Sequence, residues 1–131
     1  MIPLLLATQN QGKLKELRQL MADLPLDLHS LADFPAIEVV LETGVSFTEN
    51  AALKAAGYAR QTGMMALADD SGLEVDALGG EPGVLSARYA GEGASDFART
   101  AKLLDELSGH PSGKRSALFV SAVALRNPVA L

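Results

Sequence analysis

The sequence predicts an α/β protein whose sheet is at least partly parallel. Short apolar runs of strand length alternate with longer segments in which apolar residues recur at helical spacing. Strands that alternate with helices favour βαβ units, in which neighbouring strands run parallel. The chain has 131 residues, 48% of them hydrophobic, and we expect residues 1–131 to form a single domain with its own core.

The first third of the chain predicts two strands with a helix between them. The continuous apolar run at 2–7 predicts a strand buried on both faces. The polar turn at 8–12 leads into a helix with an apolar stripe along residues 14–21. Residues 26–29 predict a second short strand.

The middle of the chain predicts a capped helix and then a strand. Residues 46–49 (Ser-Phe-Thr-Glu) fit a capping box, in which the serine hydroxyl and the glutamate side chain each bond a backbone amide that the helix leaves unpaired. We expect an alanine-rich helix that runs to about Gln61 and ends at Gly63. Residues 64–68 predict a buried strand, 69–72 a turn, and 73–75 a brief second strand.

The last third predicts one more helix and one more strand. The helix covers about residues 95–107, and its spacing predicts that Phe97, Ala101 and Leu104 are buried. The segment 116–125 predicts the final strand.

Composition excludes several classes of function. The absence of cysteine excludes disulfides and thiolate metal sites, and it favours a reducing, cytoplasmic location. A net charge of −5 argues against a broad nucleic-acid or membrane surface, although one nucleotide needs only a few well-placed cations. No apolar run approaches the length that spans a bilayer.

Two adjacent aspartates, Asp69 and Asp70, directly follow the apolar run 64–68 and precede Ser71 and Gly72. Neighbouring carboxylates repel one another, so a fold keeps them together with a cation, a shared proton or full solvation. Mg²⁺ prefers carboxylate and water oxygens, which suits the end of a strand. A turn whose side chains cap local amides is the alternative, but two charges directly after a buried strand favour a metal site.

The turn between the first strand and the first helix is a candidate phosphate-binding loop. A loop entering a helix N-terminus presents backbone amides and the positive end of the helix dipole. Thr8 and Asn10 add short polar side chains. Gly12 lets a ligand approach the backbone, and Lys13 supplies a positive charge. Asn10 acting simply as a helix cap explains the pattern equally well.

Glu42 and Lys54 are further candidates. Glu42 precedes Thr43-Gly44 in a loop, and Lys54 interrupts an alanine-rich helix. When each residue is considered alone, the favoured interpretation of Glu42 is an exposed loop residue, and that of Lys54 is a residue on a solvated helix face.

The two turns are stronger evidence for a binding site together than either is alone. In α/β sheets, ligands lie beyond the carboxyl ends of the strands, where the turns 8–13 and 69–72 are expected. Amides and cations in one turn and carboxylates in the other predict a nucleotide or other polyphosphate bound with Mg²⁺. In such a site a carboxylate takes the proton of the attacking water.

At these residues the sequence resembles the inosine triphosphate pyrophosphatase family, also called XTP/dITP diphosphatases. The matching pieces occur in family order from residue 4 to about 126. They are Ala7-Thr8-x-Asn10-x-x-Lys13, Glu42-Thr43-Gly44 with Phe47 and Glu49-Asn50-Ala51 through Lys54, Ala68-Asp69-Asp70-Ser71-Gly72-Leu73, and Leu78-Gly79-Gly80-x-Pro82-Gly83-x-x-Ser86-Ala87-Arg88-Tyr89. Gln9 stands where many members have glycine.

The resemblance implies an elongated mixed sheet flanked by helices, usually in a homodimer. It implies Mg²⁺-dependent hydrolysis of ITP, dITP or XTP to a nucleoside monophosphate and pyrophosphate. Glu42 and Asp70 would hold Mg²⁺, and Asp70 would be the catalytic base with Asp69 supporting it. The residues expected to bind substrate are Thr8, Asn10, Gly12, Lys13, Lys54, Ser71 and Gly72.

One departure from the family pattern concerns the C-terminus. Family members continue well past Leu131 into a loop and a Ser-His-Arg element that grip the purine. We therefore expect a chain that has the phosphate half of the site and lacks part of the second lobe. The alternatives are a nucleotide-binding or structural fragment without turnover, and a related pyrophosphatase acting on other nucleotides.

Overall fold

The computed structural model describes residues 1–128, which form four strands and three α-helices. The strands are β1 (Ile2–Leu6), β2 (Leu26–Ser30), β3 (Met65–Val75) and β4 (Ala117–Arg126). The α-helices are α1 (Gln11–Leu20), α2 (Phe47–Thr62) and α3 (Asp96–Glu106). Short 3₁₀ helices cover Leu31–Asp33, Asp76–Leu78, Gly83–Arg88 and Ser112–Lys114.

The strands form one sheet in the order β2-β1-β3-β4. β1 runs parallel to both of its neighbours, with Leu5 opposite His29 on β2 and opposite Ala66 on β3. The prediction of an α/β fold with a partly parallel sheet is confirmed. The backbone amide of Ala7 donates to the carbonyl oxygen of Leu67 at 2.8 Å, so the turn that follows β1 begins beside the first residues of β3.

The chain divides into two compact units. Of the described residues, the first contains Met1–Asp70 together with residues 122–128, and the second contains Ser71–Ser121. β3 and β4 each supply residues to both units. A single domain over residues 1–131 stays a prediction.

Small side chains let α2 lie close to the sheet. The hydrophobic core of the first unit is a buried set made of Leu5, Ala7, Ala55, Tyr58, Ala59, Ala66 and Ala68. Most of these residues are alanines, so the backbone of α2 can approach β1 and β3 closely. α2 begins after Ser46 and ends at Gly63, whose φ of 69° is the left-handed conformation that glycine adopts at little cost, as the sequence predicts.

β3 is one continuous strand of 11 residues, and the prediction of a turn at 69–72 is wrong. Aspartate and glycine are depleted in strands, but pairing with neighbouring strands outweighs that preference. The register with β1 ends at Leu67, and β4 is the other neighbour of β3 in the sheet. The two aspartates therefore lie inside a strand.

The apolar stripe predicted for α3 is exposed. The helix begins after the Ser95 cap, close to the predicted start, but Phe97 is 84% exposed, Leu104 is 55% exposed and Ala101 is exposed as well. Helical spacing of apolar residues predicts a helix, whereas burial also needs a covering element. α1 likewise has no buried residue. None of the helices described over residues 1–128 combines the length and the hydrophobicity of a membrane span.

Gly57 tests how closely α2 packs against the loop before it. A Cβ on Gly57 would lie 2.5 Å from Cγ2 of Val40. Alanine normally stabilises a helix interior over glycine by about 1 kcal/mol. We instead expect Gly57→Ala to lower the free energy of unfolding by about 1–3 kcal/mol, because the added methyl overpacks this contact.

Chemical denaturation of the single variants and of Gly57→Ala/Val40→Ala checks this prediction. Val40→Ala in the same chain should restore most of the loss, since it removes the atoms that the new methyl meets. Additive losses in the double variant would contradict the contact.

Candidate functional site

The turn between β1 and α1 is held by its own side chains. The backbone amide of Asn10 donates to Oγ1 of Thr8 at 3.1 Å, and Oδ1 of Asn10 accepts from the backbone amide of Lys13 at 3.0 Å. Asn10 is therefore the N-cap of α1. The Thr8 hydroxyl accepts in this turn, so its own proton can go to a further acceptor. A Cβ on Gly12 would lie 3.2 Å from Oδ1 of Asn10 and would crowd the cap.

Lys13 joins the first turn of α1 to β3. Its Nζ lies 2.8 Å from Oδ2 of Asp69, whose side chain is 22% exposed. The ammonium group adds to the positive end of the α1 dipole beside the turn. The predicted phosphate turn and one predicted carboxylate, Asp69, thus meet in the structure through this ion pair.

Glu42 and Lys54 also meet. Oε1 of Glu42 lies 2.7 Å from Nζ of Lys54, whose side chain is 18% exposed. The solvated interpretation favoured for Lys54 alone is therefore wrong, whereas the Glu42 side chain is 36% exposed and is also paired. Water screens such a pair less than it screens an exposed one.

Two hydrogen bonds anchor the loop that carries Glu42. The backbone amide of Gly44 donates to Oδ1 of Asn50 at 2.7 Å, and that of Val45 donates to Oε2 of Glu49 at 2.9 Å. The capping-box prediction is confirmed for the Ser46 hydroxyl, which accepts from the Glu49 amide at 3.1 Å. The Glu49 carboxylate, however, bonds the amide of Val45 and so fixes the end of the loop to the helix.

Asp70 is the buried carboxylate of the site. It is 9% exposed, and its Oδ2 has no hydrogen-bond partner among the described residues. Burial raises the pKa of the Asp70 carboxyl above its ordinary value. A hydrogen bond from the Asn50 side-chain amide and the charge of Lys54 oppose this rise in pKa. The charges of Glu42 and Asp69 add to it.

Asp69 and Asp70 point to opposite faces of β3, because side chains alternate along a strand. Ala66, Ala68 and Asp70 are buried at alternate positions, and both alanines belong to the core that contains α2. Asp69 lies on the other face, where Lys13 pairs with it. Lys54 is the positive charge that acts on Asp70.

The residues around Asp70 fit Mg²⁺. Glu42 and Asp70 offer carboxylate oxygens, and Oδ2 of Asp70 is buried without a partner, which is costly unless a cation or a donor approaches. Mg²⁺ is usually bound by one or two carboxylates, with water and substrate phosphates completing its shell. Residues 1–128 hold no group of three or more His, Cys, Asp or Glu arranged for a metal.

Ser71 and Gly72 belong to the second unit. A Cβ on Gly72 would lie 2.7 Å from the carbonyl oxygen of Gly83 and would also meet Oγ of Ser86. That hydroxyl donates to the Gly83 carbonyl and accepts from the Leu73 amide, so glycine at 72 leaves room for this local bridge. Substrate binding by Ser71 and Gly72 stays a prediction.

Asn50 is the site residue that sequence reasoning left without a role. It is 1% exposed, its Oδ1 accepts from the Gly44 amide at 2.7 Å, and its side chain opposes the rise in the pKa of Asp70. Its signal in the sequence is a polar residue of low helix propensity beside alanines in the first turns of α2. Such a residue is buried only when its amide has partners.

Comparison with known proteins links the chain to one family of sequences. A model of the Ham1 family matches residues 4–130. The dITP/XTP pyrophosphatase of Geobacter sulfurreducens is 53% identical over 128 residues, which cover 98% of this chain and 64% of that relative. The dITP/XTP pyrophosphatase of Bacillus cereus is 51% identical over 122 residues, which cover 93% of this chain and 60% of the relative. The chain thus spans less than two thirds of the length of these relatives.

Solved structures give the same result. The HAM1 protein from Coxiella burnetii aligns with a TM-score of 0.88 at 43% identity, over 97% of this chain and 64% of that one. The dITP/XTP pyrophosphatase from Mycobacterium abscessus aligns with a TM-score of 0.83 at 48% identity, over 97% of this chain and 66% of that one. These likenesses confirm the predicted fold class and the family resemblance.

The raised pKa of Asp70 makes a prediction about stability. Because the folded pKa lies above the ordinary value of 3.8, the stability that Asp70 contributes is full below that pH and is lost as pH rises through the folded pKa. Asparagine carries no charge at any pH. Without divalent cations, we expect Asp70→Asn to unfold with a larger free energy than wild type at pH 7.

The pH series of denaturation curves should show this difference shrinking as pH falls towards 3.8. Asp69→Asn is the matched control, since it loses a partly exposed ion pair and should lower stability by less than about 1 kcal/mol. A gain for Asp70→Asn that does not depend on pH would contradict the argument.

Proposed function

The chain belongs to the Ham1 family, and from that membership we propose that it is a Mg²⁺-dependent nucleoside triphosphate pyrophosphatase. Its proposed substrates are the deaminated purine nucleotides ITP, dITP and XTP, and its products are a nucleoside monophosphate and pyrophosphate. Relatives named dITP/XTP pyrophosphatase support this substrate class. The observation that carries the proposal is the buried Asp70 carboxylate, whose Oδ2 has no partner among residues 1–128 and which interacts with the charges of Glu42 and Lys54.

The cations of the site suit a triphosphate. Lys13 lies at the positive end of α1, which is where helices bind phosphate groups. Lys13 and Lys54 each neutralise a carboxylate in the free protein, on Asp69 and Glu42 respectively. A bound triphosphate would offer both ammonium groups phosphate oxygens as partners. In this proposal the turn residues Thr8, Asn10 and Gly12 bind the triphosphate with them, and Ser71 and Gly72 also contact the substrate.

Glu42 and Asp70 are the proposed Mg²⁺ ligands. Bound Mg²⁺ supplies neutralisation of the phosphate oxygen charge and so favours attack on phosphorus. If Glu42 turns from Lys54 towards a cation, the Lys54 ammonium is left for the substrate. The ion pair therefore holds Glu42 and Lys54 side by side, so that Glu42 can bind the cation and Lys54 the phosphate of one ligand.

Asp70 is the proposed catalytic base. Its carboxylate accepts a proton from water while the water oxygen attacks the α-phosphorus. The bond from that phosphorus to the bridging oxygen breaks, and its electron pair leaves with pyrophosphate. A carboxyl whose pKa is raised by burial is a better base than an exposed one, provided that it is ionised. Asp69 supports the site from the other face of β3 by holding Lys13.

The assembly and location of the protein are part of the same proposal. The family resemblance supports a homodimer, and the absence of cysteine supports a cytoplasmic location. No nucleic-acid or membrane partner is proposed.

Pyrophosphate release tests the proposed reaction. The chain incubated with ITP and Mg²⁺ should release pyrophosphate, observed by phosphorus NMR, and should release none without Mg²⁺. Asp70→Asn removes the base, so we expect its kcat to fall by about 10²–10⁴-fold. Asp23→Asn makes the same change at an exposed position and should match wild type.

Each other product would assign a different function. Orthophosphate would indicate cleavage at another bond, and faster release from dUTP than from ITP would indicate a pyrophosphatase for other nucleotides. Binding without turnover would favour the nucleotide-binding alternative. Full activity of Asp70→Asn would exclude Asp70 as the base.

Lys13 tests the proposed triphosphate contact. Lys13→Met removes one ammonium group from the phosphate side of the site, so we expect KM for ITP to rise about tenfold, the effect of about 1.4 kcal/mol of lost binding. Lys15→Met is the matched control, because Lys15 is exposed on the same helix. Steady-state kinetics of the two variants checks the prediction, and equal KM values would contradict the assignment of Lys13.

A further inference from the structure

Four residues on one face of α2 contact the Glu42 loop, which is the segment of residues 38–44. The contacts lie three or four residues apart along the helix and two residues apart along the loop. Residues three or four apart share one face of a helix. The four pairs, with the helix residue first, are Gln61 with Glu38, Tyr58 with Val40, Lys54 with Glu42, and Asn50 with Gly44.

The Glu42 loop runs nearly extended along α2, although it has no regular secondary structure. The helix from Asn50 to Gln61 spans about 16–17 Å. The chain from Glu38 to Gly44 reaches about 20–22 Å when it is fully extended, so little length is left for bends. Residue numbers rise along the loop as they fall along the helix, so the two segments are antiparallel.

Burial alternates along the Glu42 loop. Val39 and Leu41 are 59% and 73% exposed, whereas Val40 and Glu42 are partly buried. Successive side chains of an extended chain point to opposite sides, so the even-numbered residues face α2. A shift of the loop by one residue would therefore turn Glu42 away from Lys54.

Val40 is fixed to α2 by both its backbone and its side chain. Its amide donates to the Tyr58 hydroxyl at 3.2 Å, and Tyr58 is 2% exposed. A Cβ on Gly57 would lie 2.5 Å from Cγ2 of Val40, so the valine side chain uses the space that glycine leaves. Glu42 is two residues further along the loop, so the position of Val40 limits where the Glu42 carboxylate can lie.

We propose that Gly57 and Tyr58 are positioning residues, which set the register of the Glu42 loop and so hold the Glu42 carboxylate in place for the cation. This inference rests on the proposed function, in which Glu42 is a Mg²⁺ ligand. The Glu42 side chain pairs with Lys54 at 2.7 Å, and a bound cation and phosphate would draw these two groups apart. The contacts at Val40 do not involve that ion pair, so they keep Glu42 within reach of the cation after the pair opens.

Three changes test the contacts at Val40. Gly57→Ala places a methyl against Val40 and displaces the loop, and Val40→Ala in the same chain removes the atoms that this methyl meets. Tyr58→Phe keeps the buried ring and removes the hydroxyl that accepts from the Val40 amide.

Two controls make similar changes elsewhere. Ala52→Gly lowers the helix propensity of α2 at an exposed position. Tyr89→Phe removes another tyrosine hydroxyl, which donates to Glu106 at 2.6 Å in the second unit. Both changes cost stability away from the four contacts, so they show what lost stability alone does to cation binding.

Two measurements on folded chains decide the proposal. They are the Mn²⁺ dissociation constant, from the EPR signal of free Mn²⁺, and the hydrogen-exchange rate of the Val40 amide, from NMR. Gly57→Ala should raise the dissociation constant about tenfold or more, and Gly57→Ala/Val40→Ala should bring it back to within about threefold of wild type. Tyr58→Phe should speed exchange of the Val40 amide about tenfold, the effect of one lost hydrogen bond, and raise the dissociation constant about threefold. Ala52→Gly and Tyr89→Phe should keep the dissociation constant within about twofold of wild type.

Contrary results have distinct meanings. If Gly57→Ala and Tyr58→Phe bind Mn²⁺ as the two controls do, the contacts at Val40 only pack the loop and the inference is overturned. A loss in Gly57→Ala that Val40→Ala does not restore overturns the register argument as well. If Gly57→Ala does not fold, Tyr58→Phe decides by itself, since it keeps the shape of the core.

The proposed function fails in a different way. If wild type binds Mn²⁺ but releases no pyrophosphate from ITP, the proposed reaction fails, while the Mn²⁺ affinities of the variants still judge the inference. Glu42→Gln should weaken Mn²⁺ binding at least as much as Gly57→Ala does, because it removes the charge of the ligand itself. Wild-type affinity in Glu42→Gln would overturn both Glu42 as a ligand and the inference.

Discussion

A carboxylate taken out of water needs compensation for its charge, and the charged residues of the candidate site are best understood from that need at Asp70. The side chain is buried beside the alanine core, and one of its oxygens has no partner among the described residues. Burial is what raises its pKa, and Asn50 and Lys54 reduce that rise without providing a partner for Oδ2. A fold that keeps this arrangement is more readily explained by binding than by stability, because an apolar side chain would be cheaper at the same place.

The elements around Asp70 are arranged so that each charge has a specific neighbour. Strand alternation separates Asp69 from Asp70, which gives Lys13 to Asp69 and leaves Asp70 facing α2. The loop before α2 then brings Glu42 to Lys54 on that helix. The site is therefore composed of two ion pairs and one carboxylate whose counter-charge is incomplete.

Local signals explain which elements could be predicted from the sequence. α2 begins at the Ser46 cap and ends at Gly63 because both residues act on their own turn of chain. The short apolar runs predicted the parallel strands because the hydrophobicity of a strand is also a property of its own segment of chain. The continuity of β3 could not be predicted, since it depends on β4 lying beside it. The exposure of Phe97 could not be predicted either, because helical spacing does not reveal what covers a helix.

The same distinction applies to the candidate site, where contacts within one segment could be predicted and contacts between segments could not. Asn10 and Lys13 could be placed because a strand and a helix on either side fix their turn. The pairing of Glu42 with Lys54 was missed because it depends on how a loop without regular structure folds back on the helix. Asn50 was missed because its hydrogen-bond partner, Gly44, lies in the preceding loop and the carboxyl whose pKa it affects, that of Asp70, lies on β3. Contacts between segments, more than residue types, are what the structure adds.

The central claim is that the buried Asp70 carboxylate, whose Oδ2 has no partner among the described residues, binds a divalent cation, and a crystal structure of the protein with Mg²⁺ and a non-hydrolysable ITP analogue tests it most directly. The account predicts Mg²⁺ in contact with that oxygen at about 2.1 Å, or joined to it through one bound water, with phosphate oxygens in the same shell. A cation bound elsewhere, with Oδ2 of Asp70 still buried and unpartnered beside the bound nucleotide, would contradict it.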